Sequence, residues 1–186
     1  YCYGDCTMST LFVNNLNTAS GSTITVPTGK TLVGTDEGSF RVPGTILQVV
    51  SNTTTLADGT TSTSSTSFVN INPLQTQITP KASNSKILVR CILSYGANDN
   101  DYNHEARVLE DSTQVLRFHL RHEGGNANNV EETVGEILRS PNTTSQLTYK
   151  VQLKTESGSA TIYLNRRRTD ASYTGQCTLT LMEVAQ

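Results

Sequence analysis

The stretch Cys177-Thr178-Leu179-Thr180-Leu181-Met182-Glu183-Val184 decides the fold class. Cys177, Leu179 and Leu181 are apolar, and Thr178 and Thr180 alternate with them. Side chains two residues apart on an extended backbone share a face, so this alternation predicts a half-buried β-strand. Only Ala185-Gln186 follow it. A terminal strand stays ordered when a sheet ties it down, so this one is expected to close an all-β domain.

The pattern continues upstream. Apolar and β-branched runs predict strands at residues 45–50, 68–71, 75–78, 86–95, 104–109, 114–120, 134–138, 147–154 and 160–165. Turn residues separate them, as in Ala82-Ser83-Asn84-Ser85, Glu110-Asp111-Ser112, Ser140-Pro141-Asn142 and Glu156-Ser157-Gly158-Ser159. Residues 129–139 also carry a helical spacing (Val130, Val134, Ile137, Leu138), but Thr133, Val134 and Gly135 weaken a helix there. Strands at this spacing predict an antiparallel sandwich or jelly roll.

Composition sets limits. The 186 residues are 35% hydrophobic and 6% aromatic, without tryptophan, which makes a thin core for one chain. A thin core is tolerable where chains bury surface on one another, so an oligomer is expected. The net charge of −2 offers no basic field for nucleic acid. No apolar run approaches a membrane span, so membrane insertion is not expected. Of the four cysteines, Cys91 and Cys177 fall in predicted strands and read as small buried apolar residues. Cys2 and Cys6 have no second ligand pair near them, so no zinc site is expected.

Four zones follow. Residues 1–7 read as an extension upstream of Met8-Ser9-Thr10, a natural start. Residues 8–44 hold apolar pieces too short to make a core alone, the pattern of an arm or a β-rich shaft that needs neighbouring chains. Residues 45–67 form a strand and a Ser/Thr-rich connector, and residues 68–186 the β-sandwich head. The break Val42-Pro43-Gly44 reads as a turn. Asn52-Thr53-Thr54 and Asn142-Thr143-Thr144 match the glycosylation sequon, a pattern common by chance in such text.

Four stretches carry a resemblance. They are Met8-Ser9-Thr10-Leu11-Phe12-Val13-Asn14-Asn15-Leu16 with Ile24-Thr25-Val26-Pro27-Thr28-Gly29-Lys30; Val42-Pro43-Gly44-Thr45-Ile46-Leu47-Gln48-Val49-Val50; Ile78-Thr79-Pro80 with Asn84-Ser85-Lys86-Ile87-Leu88-Val89; and Thr148-Tyr149-Lys150-Val151-Gln152 with Tyr163-Leu164-Asn165-Arg166 and Leu179-Thr180-Leu181-Met182-Glu183-Val184. Together they resemble tail-fibre and structural proteins of tailed bacteriophages, above all marine ones. The resemblance implies a virion protein, a homotrimeric fibre or spike with an N-terminal attachment part and a C-terminal β-sandwich head. It implies no ligand site.

Recognition residues are expected in loops held by a rigid sandwich. In Asn98-Asp99-Asn100-Asp101-Tyr102-Asn103-His104, Asp99 and Asp101 have the first spacing of a calcium loop, but its glycine and distal glutamate are missing, so no metal is expected. Asp99, Asp101, Tyr102 and His104 stand instead as receptor contacts. Arg166, Arg167 and Arg168 could pair with acidic residues of a neighbouring chain, hold an anionic sugar, or simply be a solvated turn. Tyr173 and Tyr102 suit stacking on sugar rings. Arg117, His119 and Arg121 share one strand face, either an ordinary outer face or an inter-chain or glycan-binding one.

No enzyme and no cofactor are expected. Glu131, Glu132, Glu136 and Glu183 form no recognisable pair, and no nucleophile elbow or phosphate loop occurs. The expected role is host-surface attachment from a virus particle, through a host glycan or protein, with other virion proteins as partners. The rival roles are a capsid decoration protein without a receptor and a carbohydrate-binding module, with a glycan-cleaving fibre disfavoured.

Overall fold

The computed structural model describes residues 23, 25–34, 41–58, 62–98, 102–121 and 129–186. The chain divides into two units, Tyr1–Thr35 and Asp36–Gln186. In the first, the Lys30 N–H donates to the Pro27 carbonyl at 3.0 Å, and Val26, Leu32 and Val33 are exposed.

Among its described residues the second unit is all β apart from one 3-10 turn at Leu56–Asp58. Its strands are β1 (Ile46–Thr54), β2 (Ser62–Thr63), β3 (Val69–Ile78), β4 (Lys86–Ala97), β5 (Asn103–Glu110), β6 (Thr113–Arg121), β7 (Glu131–Arg139), β8 (Leu147–Thr155), β9 (Ile162–Leu164) and β10 (Cys177–Val184). In one sheet β10 lies between β1 and β4, and β7 pairs the far edge of β4. Short β9 pairs Tyr95 to Ala97 of β4, past the point where β10 stops, and carries β2. The other sheet runs β3-β8-β5-β6, and every pairing in both sheets is antiparallel. Numbering only the eight long strands, the orders are 1-8-3-6 and 2-7-4-5, the jelly-roll arrangement.

Alternation fills the space between the sheets. Cys177, Leu179 and Leu181 of β10 and Val89, Cys91 and Leu93 of β4 face Ala106 and Val108 of β5, Leu120 of β6 and Tyr149, Val151 and Leu153 of β8, all buried. Each large side chain so buried contributes about 1.5–3 kcal/mol. Tyr149 keeps its hydroxyl satisfied by donating to Glu110 at 2.6 Å. Cys91 and Cys177 are buried free thiols, and burial pushes Cys177 up to about 11.

Three expectations change in detail. Residues 68–71 and 75–78 belong to one strand, β3; its register on β8 shifts between Asn70 and Gln75, around Pro73, which an edge strand tolerates because no ladder donor is lost. The strand expected at 134–138 is present and longer, Glu131–Arg139, with alternate residues packing inward, so the helical spacing over 129–139 is not used. The connector expected from residue 45 contributes β1, the edge strand on β10, so the sandwich starts ahead of residue 68. The Val42–Thr45 turn is present, closed by Thr45 N–H donating to Val42 O at 3.0 Å.

Glu183 is a buried carboxylate on β10. Burial pushes its carboxyl up, but hydrogen bonds from Ser85, Gln48 (2.6 Å) and the backbone N–H groups of Lys81 (2.7 Å) and Ala82 outweigh this and hold it below the ordinary range. It thus anchors the β3–β4 connection to the last strand. Its contribution is present above the unfolded glutamate range and is lost as pH falls through the lowered folded value. Glu183→Gln puts an amide N–H among donors and is expected to cost about 1–3 kcal/mol at neutral pH, in urea unfolding. The gap to the wild type should shrink below the carboxylate range.

A second test concerns Gly135 of β7. A Cβ there would lie 2.5 Å from Cε1 of the Phe118 ring on β6. Gly135→Ala is expected to destabilise by about 1–3 kcal/mol through overpacking. Phe118→Leu in the same chain should recover part of that loss, although Phe118→Leu alone is destabilising.

Candidate functional site

The jelly roll has two unlike ends. At one end, here the base, lie the start of β1, the end of β10, and the connections β3–β4, β5–β6 and β7–β8. The chain enters here beside its C-terminus: Gly44 N–H donates to Ala185 O at 2.8 Å, and Ala185 N–H to Thr45 O at 2.9 Å. At the other end, the tip, lie the connections β1–β3, β4–β5, β6–β7 and β8–β10, the last holding β9 and residues 165–176.

Residues 165–175 fold back as a hairpin. Gly175 N–H donates to Asn165 O at 3.1 Å, Arg166 bridges Thr174, and Arg167 N–H donates to Tyr173 O at 3.3 Å. Asn165 makes the bend with φ of 62° and donates from Nδ2 to Thr54 Oγ1 at 3.3 Å. The hairpin lies across the end of β4 because Gly96 has no side chain: a Cβ there would sit 2.8 Å from Arg166 O.

The three arginines have separate partners. Arg166 lies over the Tyr163 ring, 4.5 Å from its centroid. Arg167 grips Asp170 with two bonds of 2.8 Å and lies over the Tyr173 ring at 4.5 Å. Arg168 donates from Nη1 to Asn98 O at 2.9 Å, which joins the hairpin to the end of β4. The Arg167 guanidinium and the Ser172 N–H hold the Asp170 carboxyl far below its ordinary range. The charge of Arg167 is therefore answered within its own chain.

Tyr173 is 62% exposed, so it is supported by Arg167 and still open to solvent. Beside it is a groove of about 480 Å³ lined by Asn129, Val130, Glu131, Arg167 and Tyr173. Glu131 accepts a hydrogen bond from the Tyr95 hydroxyl at 3.0 Å. A larger depression of about 690 Å³, lined in part by Thr55, Glu132, Gln176 and Thr178, follows on the first sheet.

Of the residues expected at the site, Arg166, Arg167, Arg168 and Tyr173 come together in this hairpin, and Tyr102 is half-buried at the foot of β5. Asp99 and Asp101 lie outside the described residues. His104 is a correction. It is fully buried, on the inward face of β5 with Ala106 and Val108, because strand alternation turns it into the core. It cannot touch a receptor in this fold. Asn129 and Glu131 were missed; no sequence pattern linked them to Tyr173, since they reach the groove from another strand. Arg117 lies on the outer face of the second sheet, bonded to both Glu105 oxygens at 2.7 Å, and His119 is exposed beside it. Among the described residues no group of three or more His, Cys, Asp or Glu is placed to hold a metal ion.

Comparison with models of protein families and with curated proteins returns no match. Among solved structures, the chain is similar to the VP2 protein of infectious bursal disease virus in derived T=1 particles, with a TM-score of 0.45 and 12% identity over 84% of this chain and 41% of that one. The VP2 subviral particle of the same virus gives 0.40 and 12% over 84% and 42%. The chain thus spans about two fifths of those viral proteins. No residue role follows from a likeness of that size.

The Arg167–Asp170 clasp generates a test. Because the Asp170 carboxyl is held below its ordinary range, the clasp should persist under mild acid and open only as pH falls through that lowered value. Carboxyl NMR should show Asp170 titrating far below the ordinary aspartate range. Asp170→Asn should free Arg167, increase Tyr173 side-chain mobility and leave the unfolding midpoint nearly unchanged.

Proposed function

We propose that this chain is a virion structural protein without enzymatic activity, the jelly-roll head of a homotrimeric fibre or spike, and that its tip attaches the particle to the host surface. The observation that carries the reading is the segregation of the two ends. The chain enters at the base beside Ala185, while the Arg167–Tyr173 hairpin stands at the opposite end. A chain held at its base presents that hairpin outward. Jelly rolls recur in viral coat proteins and lectins, and the phage-like stretches in the sequence point the same way.

The groove beside Tyr173 suits one sugar ring. The supported aromatic face offers stacking, and Glu131 and Asn129 offer hydrogen bonds to hydroxyls. With Arg167 neutralised by Asp170, an uncharged sugar fits better than an anionic one. Glycoside cleavage needs two carboxyl groups across the bond, and among the described residues the groove is lined by one, Glu131. Each site would be weak, and three on one trimer act together through multivalency.

A Fab raised against the 166–173 hairpin tests this on virus particles from the chain's source. Decoration of the particles together with blocked adsorption to host cells is expected. Decoration without blocking would favour a capsid appendage that binds no receptor, and no decoration would overturn the virion role. Particles carrying Tyr173→Ala should adsorb at least about tenfold more weakly, as for loss of an aromatic hot spot.

A further inference from the structure

The two outer faces of the sandwich differ in kind. That of the second sheet is polar and satisfied within the chain: Arg117 and Lys154 pair with Glu105, Arg107 donates to Gln152 at 2.7 Å, and Gln152 donates to Asn70 at 2.8 Å. The outer face of the first sheet is mixed: the Ser51 and Thr180 hydroxyls pair at 2.9 Å and those of Thr53 and Thr178 at 3.2 Å, with exposed apolar side chains beside them. One cross-strand row reads Val49, Met182, Leu88, Leu138, and another reads Thr53, Thr178, Ile92, Val134. Val49, Val134 and Leu138 are 55%, 58% and 48% exposed.

Between these rows runs a third: Ser51, Thr180, Arg90, Glu136. Arg90 and Glu136 stand opposite each other on β4 and β7, and both are exposed. Among the described residues neither has an ion-pair partner. A four-strand face about 19 Å wide and 26 Å long covers roughly 500 Å², so two such faces bury about 1,000 Å², the lower bound for a biological interface.

We infer that this face is where a second copy of the same chain packs, with Arg90 of one copy meeting Glu136 of the next. The charge pattern selects the geometry. A two-fold axis running parallel to the strands, between β4 and β7, sets Arg90 against Glu136, Leu88 against Leu138 and Ile92 against Val134, and so closes a pair of copies. An axis across the strands would set Arg90 on Arg90 and Glu136 on Glu136, which repel. The first geometry also keeps the tips of all copies pointing one way. The face shares no residue with the Tyr173 groove, and it joins two copies where the proposed head has three, so a dimer by mass supports this face and counts against the trimer while leaving the attachment role of the tip to its own test.

Charge reversal tests it, using the full chain in sedimentation velocity over a concentration series. The wild type is expected to associate. Arg90→Glu makes the row wholly acidic and Glu136→Arg makes it wholly basic. Each variant alone should associate at least about tenfold more weakly. Mixed one to one, the two should associate with each other and regain the wild-type mass. Circular dichroism and thermal unfolding establish that both fold. A wild type that stays monomeric, single variants that assemble like it, or a mixture that stays dissociated would each overturn the inference.

Discussion

The fold rests on the insertion of β10 between β1 and β4. That strand takes backbone hydrogen bonds on both edges and joins the two ends of the sandwich sequence. Its inward residues supply Cys177, Leu179 and Leu181 to the core, and Glu183 holds the β3–β4 connection at the base. At its other end, Cys177 Sγ accepts from Ser94 N–H at 3.3 Å, and the chain arrives there directly from the hairpin that carries Tyr173. A change that loosened β10 would disturb the core, the base and the tip together.

From that closure follow two asymmetries. Long connections gather at one end and the chain enters at the other, which gives the sandwich a direction. One outer face is polar and satisfied; the other mixes paired hydroxyls with exposed Val49, Val134 and Leu138 and has Arg90 and Glu136 in no ion pair with any described residue, which gives the sandwich a side. On the proposed reading the direction serves attachment and the side serves assembly. An axis parallel to the strands preserves the direction, so two copies joined on this face still present their tips the same way.

Much of this was legible in the residues. Alternation in Cys177–Val184 and in residues 147–154 marks the half-buried strands, because period two is imposed by the extended backbone itself. The burial of Cys91 and Cys177 followed from the same rule, and so could the burial of His104, had alternation with Ala106 and Val108 been weighed above the polar text around it. Pro73 misled because a proline interrupts the pattern, whereas an edge strand absorbs it. The arginine triplet was visible as charge, but its partners were not. Asp170 follows closely in the chain, while Asn98 and the Glu131 groove are brought by tertiary packing from other strands. The apolar row of the outer face was also hidden, since Leu88, Leu138 and Met182 form one row only once the register across three strands is known.

The account's central claim is the direction of the sandwich on a particle. The most direct measurement is electron cryomicroscopy of virus particles carrying a peptide tag, labelled with its antibody fragment, either inserted after Ala171 or appended after Gln186. The account predicts that the Ala171 label lies farther from the particle body than the Gln186 label, by roughly the length of a strand of about 9 residues, near 30 Å. An Ala171 label closer to the particle body than the Gln186 label would contradict it.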